Sequence, residues 1–219
     1  MLPRTALATC RYGPVNSTLG LTAGPRNRMH AFDSPPLKTK RLTLRPLASE
    51  DVERLFEIHS DPAAMRYWSA PIWEDAERGR AMVARDLDPS SIDHLRLGIE
   101  LAATRTLLGT CTFFQINAQC RRAELGYMLA PSAWGHGYMQ EALVAFIDYG
   151  FTRLDLNRIE ADTDPRNERS MQLLERLAFL KEGHFRERWV VGAEVSDSAM
   201  YGLLRRDWLH RAPSTSGEA

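Results

Sequence analysis

Residues 134–143 (Trp-Gly-His-Gly-Tyr-Met-Gln-Glu-Ala-Leu) carry the pattern with the clearest chemical content in this chain. An apolar run closed by Pro131 precedes them, and an amphipathic stretch without Pro or Gly follows as far as Gly150. The pattern predicts strand, glycine loop, helix. The first turn of such a helix leaves backbone N–H groups without intrahelical acceptors, at the positive end of the macrodipole, which suits a phosphate. Gly135 and Gly137 can take positive φ and leave room for a diphosphate close to the backbone. About thirty residues further on, Asn167 and Ser170 stand one turn apart at a helix start and so share a face, either as caps or toward a common ligand. Glu124 shares one face of a strand with Gly126 and Met128, while Leu125, Tyr127 and Leu129 turn to the core.

The elements that must position these residues follow from periodicity and turn signals. Residues 41–47 alternate as a strand, and Ser49 reads as the N-cap of a helix with Val52, Leu55, Phe56 and His59 on one face, ending before Pro62. A second helix is expected over 74–87. Strands are expected over 95–101, 107–116 and 122–129, the first two joined by a turn at 102–106. The helix after the glycine loop should run over 136–149 and stop at Gly150. A strand over 158–163, broken at Asp164-Pro165, leads to a helix over 167–177, and 187–191 should pair with 198–204 as a closing hairpin. Antiparallel meander strands combined with one strand–helix–strand crossover give a single mixed sheet of the α/β or α+β class.

Composition narrows the setting. At 219 residues the chain can bury one good core. Basic and acidic residues both number 28, which gives no charge signal for nucleic acid or an anionic membrane, and no apolar run approaches the ~20 residues of a spanning helix. Cys10, Cys111 and Cys120 lack disulfide-framework or metal spacing, which favours a reducing cytoplasm. His30, His59, His94, His184 and His210 are scattered, so no metal is expected. Residues 1–28 hold four Arg, three Pro and no acid, which predicts a disordered extension over 1–36, with Met29 readable as a start and a transit peptide as the other reading. The domain is then 37–209, with a loose tail over 210–219.

Several blocks together resemble the GNAT acetyltransferases, and within them the ribosomal-protein N-terminal (RimJ/RimL-like) group. These are residues 40–46 (KRLTLRP), 65–69 (MRYWS), 123–129 (AELGYML), the loop 134–138 with Glu141-Ala142, 157–161 (NRIEA), 167–170 (NERS) and 173–179 (LLERLAF), with 197–204 at the end. The resemblance covers about residues 38–208. It implies the GNAT fold, a mostly antiparallel splayed sheet flanked by helices. The activity it implies is acetyl-CoA-dependent transfer to a primary amine, either a protein N-terminus or a small molecule. Met139 and Ala178 depart from the family's glycine or alanine and glycine.

Carried onto this chain, the resemblance implies that residues 134–139 (Trp134, Gly135, His136, Gly137, Tyr138, Met139) hold the coenzyme diphosphate, with Met128, Leu129, Asn167 and Ser170 along the pantetheine. Glu124 becomes the general base or a structural carboxylate. Gly126 marks a bulge, and the N–H of Met128 faces the thioester carbonyl. The family's tyrosine acid would fall at Leu174, which leaves Ser170 or water to protonate the leaving thiolate. Tyr67, Trp68 and Trp73 form an acceptor wall or pack as core. Arg166 and Arg169 meet the coenzyme's 3′-phosphate or water, and Cys120, on the face of Glu124, reads as a buried inert thiol. The expected protein is a cytoplasmic monomer or homodimer. A non-catalytic acyl-CoA sensor is the alternative from another class, which would keep the loop and lose the base.

Overall fold

The computed structural model describes residues 36–88, 90 and 93–210. The expected extension, the Met29 start and the tail beyond His210 lie outside the described residues.

The chain forms one eight-stranded sheet in the order β1-β2-β3-β4-β5-β6-β8-β7. The strands are β1 (Leu37–Lys38), β2 (Leu42–Arg45), β3 (Leu95–Leu101), β4 (Thr106–Asn117), β5 (Arg122–Leu129), β6 (Arg158–Thr163), β7 (Leu180–Val191) and β8 (Glu194–Leu204). The helices are α1 (Val52–Ser60), α2 (Pro62–Met65), α3 (Glu77–Leu87), α4 (Tyr138–Thr152), α5 (Glu168–Arg176) and α6 (Arg205–His210). Every neighbouring pair is antiparallel except β5–β6, which is parallel because α4 crosses between them. That parallel ladder holds only three residue pairs, Arg122–Arg158, Ala123–Ile159 and Glu124–Glu160, and beyond Glu124 the strands part. Among the described residues no helix is long and apolar enough to cross a membrane.

Alternation along β5 serves two cores. Ala123, Leu125 and Leu129 join the main cluster with Phe113, Phe146 and Ile147, whereas Met128 turns to the opposite face and packs on Ile58 and Met65. Phe113 and Phe146 stack at 4.1 Å between ring centres, which fixes α4 on β4. Gly150 lies inside α4, which continues to Thr152, so it does not end the helix as its type suggested. A Cβ there would come within 2.8 Å of the Phe113 ring. Its smallness serves packing.

Ser49 does not cap α1. It begins a 3-10 turn, and Asp51 reaches back to the Ala48 N–H at 2.8 Å while binding the Arg45 guanidinium at 2.8 and 2.9 Å. Arg45 also donates to Glu100 at 2.6 Å, so this half-buried arginine ties the helix start to two strands. The closing hairpin is longer than expected and paired differently: 198–202 lies against 180–185, and 189–191 pairs with 194–196 instead of with 198–204, because β7 is exposed along most of its length and carries little periodicity to read.

Helix α5 ends in a Schellman turn. Phe179 N–H donates to Leu174 C=O and Ala178 N–H to Glu175 C=O, both at 3.0 Å. Ala178 occupies the left-handed position at φ 66°, where a side chain costs about 1–2 kcal/mol. Ala178→Gly is expected to raise the melting temperature by roughly 2–4 °C per kcal/mol recovered, read by calorimetry; an unchanged or lower midpoint would show that the turn bears no strain.

Candidate active site

Where β5 and β6 part, a cleft of about 1490 Å³ opens between α2, the glycine loop, the start of α5 and the β7–β8 hairpin. Its floor is the gap itself. Ala130 N–H donates to Leu108 C=O at 2.8 Å, and the ladder pairs Met128 with Thr110. Alternation in an antiparallel pair therefore turns the N–H of Met128 to β4 and leaves those of Tyr127 and Leu129 facing the gap. The expectation for Met128 is corrected by one residue in either direction. No register shift occurs at Gly126; the shift lies on β4 between Phe114 and Asn117, with Gln115 at φ 50°. Gly126 instead makes room for the Phe114 ring, which would stand 3.2 Å from a Cβ.

The glycine loop has the geometry a diphosphate requires. Gly135 and Gly137 adopt φ 79° and 76°, and a Cβ on Gly135 would meet nothing within 4 Å. Glu141 N–H is the first in the helix to find an acceptor, Gly137 C=O at 3.1 Å. The N–H groups of residues 135–140 have none among the described residues. Trp134 closes the loop onto β5 through Nε1–H to Leu129 C=O at 3.0 Å, and the Arg169 guanidinium lies 5.6 Å over its ring. Tyr138 and Met139 line the cleft. His136 does not; its ring tilts against Tyr138 and its carbonyl faces away.

That carbonyl is held by Arg41, which the sequence placed only in a strand. Arg41 Nη1–H donates to His136 C=O at 3.0 Å, Nε–H to Glu141 at 2.7 Å and its backbone N–H to Glu141 at 2.8 Å, with the guanidinium 4.5 Å over the Tyr138 ring. Thr39 adds a 2.6 Å hydrogen bond to the same carboxylate. Burial pushes the Glu141 carboxyl up, but the donors from Thr39 and Arg41 outweigh it and hold the pKa below the usual range. The loop and the first turn of α4 are thus braced from the edge of β2.

Glu124 stands at the vertex of the gap and lines the cleft. Its carboxylate has no hydrogen-bond or ion-pair partner among the described residues, whereas neighbouring Glu160 is bound by Arg122 and Arg158, each at 2.7 Å. Burial first, and the charge of Glu160 second, raise the Glu124 pKa.

Asn167 caps α5, its Oδ1 accepting from Ser170 N–H at 3.2 Å. Ser170 does not cap. Its Oγ lies 2.8 Å from the Tyr127 hydroxyl, and both residues line the cleft. Burial pushes the Tyr127 phenol up to about 12. Alternation turns Tyr127 to the core, and its ring does pack against the main cluster, while its hydroxyl reaches the cleft. A tyrosine among aliphatic neighbours was the available signal, since a buried phenol seeks a polar partner. Leu174 is buried in the main core.

Tyr67 and Trp68 line the cleft, each a little over one-third exposed. Trp73 does not: it is buried, stacked on His59 at 4.0 Å, and belongs to the core beside α1 and α3. Trp189 completes the wall from β7. Arg166 is tied to Asp164 and Glu194. Cys120 is exposed in the turn before β5, outside the cleft, so it is not the buried thiol expected.

A family model described as an acetyltransferase (GNAT) domain matches residues 41–180. The chain belongs to the GNAT acetyltransferase family. The uncharacterized N-acetyltransferase p20 of Bacillus licheniformis is 39% identical over 173 residues, covering 78% of this chain and 97% of the relative. YdaF of Bacillus subtilis (strain 168), whose name reads "putative ribosomal N-acetyltransferase", is 30% identical over 77% of this chain and 94% of its own. In fold, a crystal structure of spermidine N-acetyltransferase from Vibrio cholerae with CoA and spermine matches at TM-score 0.71 and 24% identity, over 78% of this chain and 99% of that one. The protein is an N-acetyltransferase. Its relatives share the transfer and differ in the acceptor their names carry, so the narrower ribosomal-protein grouping does not follow from them.

In this acetyltransferase the Arg41 brace can be tested without any ligand. Arg41→Ala is expected to speed amide exchange at residues 141–143 by about tenfold or more while leaving β4 amides unchanged; equal protection in both proteins would mean the loop holds itself.

Proposed function

We propose that the enzyme transfers the acetyl group of acetyl-CoA to a primary amine, by direct attack of the neutral amine on the thioester, with Glu124 as general base. The observation that carries this reading is Glu124 itself, an unpaired carboxylate of raised pKa at the vertex of a gap flanked by free backbone amides. When bound, acetyl-CoA supplies an activated acetyl group and a thiol leaving group.

The residues present fit it. Residues 135–140 offer unpaired N–H groups at the start of α4, and the positive φ of both glycines leaves the approach open. The N–H groups of Tyr127 and Leu129 face the gap where a carbonyl oxygen would need donors. Tyr127 and Ser170 share one hydrogen bond in which either hydroxyl can donate; with Tyr127 as the donor, which its raised pKa permits, the serine proton is free for the cleft, where a departing sulfur can accept it. Glu124 takes the amine's proton, its raised pKa bringing it closer to that task.

Glu124→Gln keeps the shape and removes the base; kcat/KM is expected to fall about a hundredfold, with acetyl-CoA affinity intact. The base works when ionised. Its raised pKa therefore moves the acid limb of kcat/KM above the ordinary carboxylate value of about 4.3, activity is lost as pH falls through it, and the variant lacks that limb. Wild-type activity and an unchanged profile would end the assignment. Tyr127→Phe and Ser170→Ala should each lower kcat, and the double variant should be little worse than either alone; additive losses would separate the two hydroxyls.

A further inference from the structure

We propose that the acceptor is a primary amine carried on an apolar or aromatic body with no second cationic group. This rests on the transferase reading above and specifies its substrate class.

The charge pattern of the cleft supplies the first argument. Around Glu124, the carboxylates of Asp162, Asp164 and Glu194 each already have an arginine. Asp162 accepts from Arg188 Nε–H at 2.9 Å and from Trp189 Nε1–H at 3.2 Å. Asp164 accepts from Arg166 Nε–H at 2.9 Å. Glu194 takes Arg66 at 3.1 Å and Arg166 at 2.8 Å. Glu168, the other lining carboxylate without a partner among the described residues, is exposed on the first turn of α5, where water and salt screen it. The acceptor side therefore presents one sheltered carboxylate that no arginine touches directly, at the place where the reacting nitrogen must stand; Arg122 and Arg188 act on it only from a distance. A second ammonium on the acceptor would have to displace an arginine or lie beside one unpaired, and both are costly in a partly dry cleft.

The aromatic walls supply the second argument. Aromatic faces can hold an ammonium, so Tyr67 and Trp189 could in principle favour a polycation. Those rings already have cations against them. Arg66 and Arg166 lie 5.3 and 5.9 Å from the centre of Tyr67, and Arg188 lies 5.5 Å from that of Trp189. What remains open is apolar surface: Trp68, Ile72 and Phe114, the last directly across the β4–β5 ladder from Glu124. An apolar or aromatic group attached a few bonds from the amine finds contact there, and a charged one does not.

The test uses the full chain and acetyl-CoA, following thiol release with 2-phenylethylamine, a peptide beginning with Phe, and spermidine. Phenylethylamine or the peptide should exceed spermidine in kcat/KM by tenfold or more, and the better of the two identifies a free amine or a peptide N-terminus as the source. Arg188→Gln, which takes the arginine from Asp162 and leaves it only Trp189 Nε1–H, should raise spermidine kcat/KM several-fold relative to phenylethylamine; the loss of the Arg188 charge near Glu124 is common to both amines and cancels in that ratio. Spermidine turnover equal to or above that of both apolar amines overturns the proposal. If no amine is acetylated, acetyl transfer to amines fails as a reading, and calorimetry of amine binding still decides the class: saturable phenylethylamine binding that spermidine does not compete supports it, and the reverse order overturns it.

Discussion

The parting of β5 from β6 after three residue pairs is the constraint on which the rest of the structure depends. A sheet that stayed zipped would satisfy its own backbone and offer nothing to a ligand. Because the two strands run parallel and diverge, backbone donors on one edge of β5 lose their partners next to a carboxylate that has none. Such groups are costly when dry and are tolerated here because the cleft is open. The helix crossing between the strands must begin at the mouth of the same gap, which is why the free amides of α4 and those of β5 face one space. The open gap and the row of unpaired amides at the start of α4 are two results of one topological fact.

Around that opening, polar groups are sorted by whether they are paired. Glu160 and Glu124 are neighbours across the last rungs of the parallel ladder, yet one is directly ion-paired with two arginines and the other with none. Arg41 and Glu141 repay each other's partial burial and fix the loop that a negatively charged ligand would otherwise have to order on arrival. Pre-ordering of this kind shifts the entropic cost from binding to folding. The hydroxyls of Tyr127 and Ser170 satisfy one another and still leave one proton to give.

Much of this was legible in the sequence where the signal is local. Strands β3, β5 and β6 follow alternation and turn residues to the residue, and the two glycines with positive φ announce themselves by type and position. What could not be read was decided by partners distant in sequence. Gly150 looks like a helix stop because no local rule reveals the Phe113 ring beneath it. Trp73 and Trp68 are the same residue type five positions apart, and both meet the His59 ring, but only Trp73 stacks flat on it, at 4.0 Å, and is enclosed by the core beside α1 and α3. Arg41 carries no mark of its role, since its partners lie about a hundred residues away. The edge toward which a strand amide points is set by the register with the neighbouring strand, which is why Met128 gave way to Tyr127 and Leu129.

Strand β5 spends all four of its directions. One face feeds the main core through Leu125 and Leu129, and the other carries Glu124 and seats Met128 against Ile58 and Met65. One edge is zipped to β4, and the other pairs with β6 as far as Glu124 and is open beyond it. Point substitutions there can each disturb one of these duties, but a single inserted or deleted residue would exchange them all at once. Every buried side chain beyond it would turn outward, and every amide facing the gap would turn into the sheet. Length variation among homologues of this chain should accordingly be absent from β5 and gather in segments such as the turn over 103–105, whose backbone N–H groups at Thr104 and Arg105 reach only to Leu101 at the end of β3.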